Sequence, residues 1–191
     1  EGIALAAGAA GARAVVIERE AASGTDRIAQ LLADDRACGE ARIVVNVQGD
    51  EPLLEPAAID AAVEALEHDP GADVATLARP ARPGESLDDP DLVKVRVGAD
   101  GRAIDFSRRP LPGNGDPLVH IGLYAYRREA IERFVAAPAT ARENAERLEQ
   151  LRALELGMAI AVVPFDSGSI GVDTPEDVAR VESALANAST R

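Results

Sequence analysis

The sequence predicts a doubly wound α/β domain with a mostly parallel sheet and an inserted antiparallel segment. Three observations lead there. Apolar runs of strand length alternate with stretches of helical period. The run Ile43-Val44-Val45-Asn46-Val47 is nearly continuous, as suits a parallel strand covered on both faces, and it stops at Gly49-Asp50-Glu51-Pro52. The middle of the chain instead carries a tract rich in Pro, Gly and charge, Ala78 to Pro90, and then the alternation of Leu92 to Val97. The Ala99-Asp100-Gly101 turn that follows predicts an antiparallel hairpin.

In chain order, a helix over Ile3 to Ala10 leads through Gly11 to a short apolar run, Ala14 to Ile17, that reads as a strand. The turn Ser23-Gly24-Thr25-Asp26-Arg27 opens a helix with Ile28, Leu31 and Leu32 on one face. After the strand at Ile43 to Val47, Ile59, Val63 and Leu66 mark a helix starting near Pro56, and Asp73 to Leu77 a strand. Turn residues from Pro110 to Pro117 precede a strand over Val119 to Tyr126. Helices over Arg128 to Ala136 and Glu143 to Leu156, a strand over Ala159 to Val163 and a helix from Pro175 complete the pattern. Leu148, Leu151 and Leu154 recur at helical spacing and predict a buried stripe.

Length and composition narrow the function. The 191 residues, 47% apolar, suit one globular domain. Twenty Lys and Arg against 33 Asp and Glu leave a formal charge of −13, which opposes a nucleic-acid backbone and requires local cations wherever an anionic substrate binds. Aromatic residues at 3%, without Trp, give no base-stacking platform. Cys38 alone cannot form an internal disulfide, and two histidines, His68 and His120, cannot build a Cys/His zinc cluster, so a reducing cytoplasm is expected. No apolar run reaches the ~20 residues that span a bilayer, so membrane insertion is not expected.

Ligands of such folds lie beyond the carboxyl ends of the strands, which directs attention to Gln48, Asp50 and Glu51. Asp50 is either a ligand for Mg²⁺, a cation that takes oxygen donors, or a turn acid capping the next helix. In Gly171-Val172-Asp173-Thr174-Pro175-Glu176-Asp177, Thr174 fits an N-cap, Pro175 the first helical position and Asp177 the third residue of a capping box. Asp173 is left outside that helix, free to share a cation with Asp50. The Ser23, Gly24, Thr25 and Arg27 loop is either a nucleotide cradle at a helix N-terminus or an ordinary cap. Strand alternation puts His120, Gly122, Tyr124 and Tyr126 opposite Ile121, Leu123 and Ala125, giving either a half-exposed aromatic face or a sugar-binding floor. Arg108 and Arg109 can clamp a carboxylate or be solvated. Glu149 and Gln150 default to a solvated helix face, with Glu149 able to pair with Arg152.

Taken together, SGTDRIAQ, VNVQGDEPLL, VKV, FSRRP, HIGLYAYRREAIERF, LEQLRALE and GVDTPEDV, in this order, resemble the 3-deoxy-manno-octulosonate cytidylyltransferases, or CMP-KDO synthetases, over essentially the whole chain. The resemblance implies a nucleotide-diphospho-sugar transferase-like, Rossmann-like fold. It also implies transfer of CMP from CTP to an eight-carbon sugar acid, KDO, with loss of pyrophosphate, for lipopolysaccharide assembly. Carried onto matching positions, Asp50 and Asp173 hold magnesium and Gln48 lies near both substrates. Ser23, Gly24, Thr25 and Arg27 hold the nucleotide, and Arg108, His120, Tyr124, Glu149 and Gln150 surround the sugar acid. A homodimer with contacts over Pro110 to Tyr126 is implied by the resemblance alone.

The sequence also departs from the family's pattern. Ala21-Ala22 stand where His-Pro is usual, Asp91 replaces a common Asn and Arg142 a common Leu. The opening strand and the basic, glycine-containing loop that grips the triphosphate do not precede Glu1. The expectation is therefore a single nucleotidyltransferase domain over 1–191 that lacks these parts and is nearly inactive by itself. Two alternatives stay open: a cytidylyltransferase for another sugar acid, amino-KDO or sialic-acid-like, and a non-catalytic remnant that binds sugar acid or a partner subunit.

Overall fold

The computed structural model describes residues 2–21, 23–35, 38, 40–113, 115–166, 171–172 and 174–188. Two compact units result, Glu1–Arg42 and Ile43–Arg191. The first contains α1 (Gly2–Ala9) and α2 (Gly24–Asp34). Ser23 caps α2: its backbone is extended, its Oγ accepts from the Asp26 N–H at 3.2 Å and its hydroxyl donates to Asp26 Oδ2 at 2.9 Å. Thr25 and Leu32 are buried, and ion pairs Arg13–Asp35 and Arg19–Asp34 tie the helix to the preceding segment. Ala14 to Ile17, predicted as a strand, is not one. It has no ladder partner among the described residues, and Val15 and Val16 are 44% and 67% exposed. Apolar sequence supplies the side chains of a strand, but only a neighbouring strand satisfies its backbone.

The second unit is a six-stranded sheet. Its strands are β1 (Ile43–Val47), β2 (Val74–Arg79), β3 (Lys94–Val97), β4 (Ala103–Ser107), β5 (Leu118–Arg127) and β6 (Ile160–Pro164). The order is β4-β3-β5-β2-β6, with β1 on β5. The predicted mostly parallel sheet is corrected here: β5 pairs antiparallel with β1, β2 and β3, β3 with β4 likewise, and the parallel pair is β2 with β6. The cause is an interposed strand. β1, β2, β3 and β6 do share one direction, but β5 runs the other way between β1 and β2, converting an expected parallel neighbour into two antiparallel ones.

Helix α3 (Pro56–His68) carries the chain from β1 to β2 and covers one sheet face. Its fully buried positions are Ala58, Ala62 and Leu66, four apart, and they meet Ala75, Leu77, Ile121, Leu123 and Ala125. Alanines in the stripe let the helix lie close to the sheet. β3 and β4 form the predicted hairpin, with Gly101 at φ +78° in its turn and the Gly98 N–H donating to Arg102 O at 2.8 Å. The left-handed backbone there suits glycine.

The opposite sheet face carries a row of rings. Phe106, His120, Tyr124, Tyr126 and Phe134 follow one another at centroid separations of 5.2, 5.4, 5.9 and 6.5 Å, and the Arg152 guanidinium lies 4.2 Å over the last ring. Phe134 belongs to α4 (Arg128–Ala136). The helix predicted over Glu143 to Leu156 is instead two, α5 (Ala141–Glu146) and α6 (Gln150–Glu155), parted at Arg147, which is left-handed at φ 54° and ψ 47°. Periodicity reads through the break because Leu148, in the link after Arg147, and Leu151, in α6, are both buried at helical spacing. The fold back brings Arg152 onto Glu143: Nε donates to Oε2 at 2.7 Å and Nη2 to Oε1. Glu143 also closes a capping box with Thr140. Helix α7 (Pro175–Ala188) starts as its sequence predicts, with Thr174 and Asp177 exchanging hydrogen bonds of 2.8 to 3.3 Å.

Removing one partner of a buried ion pair leaves the other charged and desolvated. Arg152→Met is therefore expected to cost about 3 kcal/mol or more of stability, read as a lowered urea midpoint. A midpoint within error of the unsubstituted protein contradicts that account.

Candidate active site

The site is built on β5, where its register with β2 shifts. Thr76 on β2 is opposite Tyr124, yet the next residue, Leu77, is opposite Ile121, so β5 bulges at Gly122 and Leu123. Bulges re-aim side chains beside functional surfaces. The freed carbonyl of Leu123 accepts from the Thr76 hydroxyl at 2.7 Å. On the ring-bearing face, Gly122 leaves a gap between His120 and Tyr124. Gln48, from the end of β1, lies across it: a Cβ on Gly122 would meet Gln48 Cγ at 3.6 Å. The amide of Gln48 is steadied by Asn46 Oδ1 at 3.3 Å.

Three of the expected residues, Gln48, His120 and Tyr124, thus share one floor. His120 is half-buried, with Nε2 2.8 Å from Thr76 Oγ1, and desolvation pushes its pKa from 6.5 down to about 3. The Tyr124 hydroxyl is buried and its pKa lies well above the ordinary value, chiefly through desolvation and then through Tyr126 and Glu149. Both rings are neutral near pH 7. Glu149 and Gln150 open α6 beside this floor; Gln150 is buried, which corrects the solvated helix face expected of it.

Arg108 follows β4, is partly exposed and is pinned by its neighbours. Its N–H donates to Glu146 Oε2 at 2.9 Å, its Nε to Glu146 O at 3.0 Å and its Nη1 to Pro90 O at 3.2 Å. Glu146 also accepts from Ser107 Oγ at 2.9 Å. Beneath it Lys94 is fully buried, donating to Asp89 O at 2.8 Å, Leu92 O at 2.7 Å and the Arg108 carbonyl. Three donated bonds require the ammonium form, although desolvation lowers its pKa. Glu146 and Thr76 were invisible as site residues in the sequence, and Lys94 entered only within a motif. Each acts on partners far along the chain, for which no local pattern exists.

The acidic loop begins two residues after Gln48. Asp50 does not cap α3: the capping position is Glu55, which makes no side-chain cap bond, and Pro56 follows it. Asp50 is exposed, and among the described residues its carboxylate takes no hydrogen bond. The Asp50 carbonyl accepts from the Val172 N–H at 2.8 Å, and a Cβ on Gly171 would stand 3.7 Å from Glu51 Oε1. The 171–172 segment therefore runs along the acidic loop. Asp173, expected to share a cation with Asp50, lies outside the described residues. No group of three metal-capable side chains occurs among the described residues. The donors at hand, carboxylates at a loop, are hard oxygens of the kind Mg²⁺ accepts, and that ion keeps several waters and needs only one or two protein carboxylates.

In the first unit, Ser23 is engaged as the cap of α2, Gly24 and Arg27 are exposed, and Thr25 is buried.

A family model described as cytidylyltransferase matches residues 1–160. The chain belongs to the cytidylyltransferase family. It is 45% identical over 185 residues to the 3-deoxy-manno-octulosonate cytidylyltransferase of Parvibaculum lavamentivorans, covering 94% of this chain and 71% of that one. To the protein of that name in Rhodospirillum centenum it is 48% identical, with 96% and 73% covered. Among solved structures it resembles CMP:2-keto-3-deoxy-manno-octonic acid synthetase complexed with CTP, with a TM-score of 0.87, 33% identity, and 97% and 77% of the two chains covered.

His120 links this site to acid stability. Its folded pKa is depressed, so below pH 6.5 the unfolded chain takes up a proton that the folded one refuses, and stability falls as pH drops from 6.5 toward 3. Relative to His120→Gln, the unsubstituted protein should lose about 1 kcal/mol per pH unit across that window in urea titrations. Parallel pH profiles would contradict the neutral, desolvated ring.

Proposed function

We propose that this protein joins CMP from CTP to the sugar acid 3-deoxy-manno-octulosonate and releases pyrophosphate, a step of lipopolysaccharide assembly. One observation carries this: Gln48 lies over the β5 floor and Asp50 follows two residues later, so a single loop joins a surface fit for a polyhydroxylated ring to an acidic edge fit for a phosphate-bound cation. The relatives' names supply the substrates. We further propose that the enzyme acts in the cytoplasm, where CTP is made, as a homodimer.

The chemistry follows from the residues. The anomeric hydroxyl of the sugar attacks the α-phosphorus of CTP in line, the bond to the β-phosphate oxygen breaks, and pyrophosphate leaves. Arg108, held on two carbonyls by Nε and Nη1, presents a fixed guanidinium to the sugar carboxylate. Gln48, His120 and Tyr124 orient the ring by neutral hydrogen bonds, with Glu149 and Gln150 at its border. Ser23, Gly24, Thr25 and Arg27 contribute to holding the nucleotide. Asp50 and Asp173 would hold Mg²⁺, which when bound supplies neutralisation of charge on the phosphoryl oxygens. Holding two anions together in a protein of charge −13 makes positioning and local cations the main source of rate.

In the enzyme as the cell makes it, Asp50→Asn should lower turnover about 100-fold or more, as loss of transition-state charge stabilisation does. The melting temperature should stay put, because the side chain is exposed. Undiminished pyrophosphate release from Asp50→Asn would refute the assignment.

A further inference from the structure

We propose that Thr76 is a positioning residue that fixes His120 in its Nε2–H form, leaving a bare Nδ1 that accepts a hydrogen bond from a hydroxyl of the substrate. This rests on the sugar-acid reading of the β5 floor and names what one part of that floor recognises.

Proton counting carries the argument. Thr76 Oγ1 has three neighbours: Leu123 O at 2.7 Å, Ile121 O at 3.5 Å and His120 Nε2 at 2.8 Å. A hydroxyl owns one proton, and a carbonyl can only accept. At 2.7 Å from Leu123 O that proton must lie between the two oxygens, since two facing lone pairs at such a distance repel. The Thr76 oxygen is then an acceptor toward His120, and Nε2 must bring the hydrogen. The imidazole is neutral under desolvation, with its pKa at about 3, so it has one N–H only. Nδ1 is left with a lone pair.

The β5 bulge is what makes the device possible. Regular pairing would occupy the Leu123 carbonyl in the ladder; the shift between Thr76 and Leu77 turns it to the threonine instead. Thr76 is fully buried, so its geometry is held by the sheet. Phe106 stands edge-on to the imidazole at 5.2 Å and 83°, and Tyr124 is tilted against it at 5.4 Å, which restrains ring rotation.

The consequence concerns specificity. A lone pair at Nδ1 repels a carboxylate or phosphate oxygen and attracts an O–H. His120 therefore reads a sugar hydroxyl, and the carboxylate falls to Arg108. A site built to pair a hydroxyl rejects analogues lacking it far more strongly than an apolar contact does.

With two histidines in the chain, the test is spectroscopic. In ¹⁵N-histidine-labelled enzyme near pH 7, with His68→Asn used for assignment, the remaining ring should be protonated at Nε2. In Thr76→Val the ring should shift toward Nδ1–H and the KM for the sugar acid should rise about tenfold, the worth of one hydrogen bond, while the KM for CTP holds. Thr76→Ser, which keeps the hydroxyl, should restore both and so separates the effect from misfolding. A ring protonated at Nδ1 in the unsubstituted enzyme overturns the proposal and leaves the cytidylyltransferase reading standing. A changed tautomer in Thr76→Val with an unchanged sugar-acid KM overturns the hydroxyl-reading role. Absence of CTP- and sugar-acid-dependent turnover in the unsubstituted enzyme strikes the functional reading itself.

Discussion

The sheet and the site both depend on β5, a ten-residue strand whose two faces do different jobs. One face, Ile121, Leu123 and Ala125, is pressed against Ala58, Ala62 and Leu66 of α3. Neither side of β5 is an edge, because β2 occupies one and β3 and β1 share the other. With the aliphatic face immobilised, the alternate residues have one direction left, and His120, Tyr124 and Tyr126 stand in a row. That row ends at Phe134 under the Arg152 guanidinium, whose charge is balanced by Glu143. A buried ion pair thus closes the end of the ring row that His120 and Tyr124 belong to.

Electrostatics divides the labour in a way that net charge alone hides. The formal charge of −13 would repel both substrates of a cytidylyl transfer. The two cations at the β3 and β4 ends are not equivalent, however. Lys94 spends its three hydrogens on backbone carbonyls, including that of Arg108, and so serves as an internal brace. Arg108 inherits the exposed role, fixed by that brace and by Glu146. Lys94, named in the sequence only as part of the VKV motif, is an internal brace under Arg108.

Much of this was legible in the chain, and the failures have physical causes. The β1 run, the β5 alternation, the 98–102 hairpin turn and the Thr174–Asp177 cap are local codes, written within a few residues of one another. Sheet neighbours are not local: nothing near Ile43 or Val74 says that residues more than forty positions later separate them. Ala14 to Ile17 failed for a related reason, since strand character needs a partner. The Arg147 break escaped because Leu148, in the link, keeps a helical spacing with Leu151 and Leu154, so the apolar pattern does not register that the link is not helical. Gln48, His120 and Tyr124 stand out in the sequence because each sits in or at the end of a strand pattern, whereas Thr76 and Glu146 act through contacts with segments distant along the chain. Asp173, the acid most needed beside Asp50, lies outside the described residues, although Val172 is bonded to the Asp50 carbonyl.

The central claim is that the ring-bearing face of β5 is the surface that receives the sugar acid. Two tyrosines and two histidines make it directly observable, because ¹³C-labelled aromatic spectra of this chain contain few signals. Titration with 3-deoxy-manno-octulosonate should move the resonances of His120 and Tyr124 and leave those of His68, on α3, in place. Shifts confined to His68, or no shift at saturating sugar acid in enzyme that turns over, would contradict it.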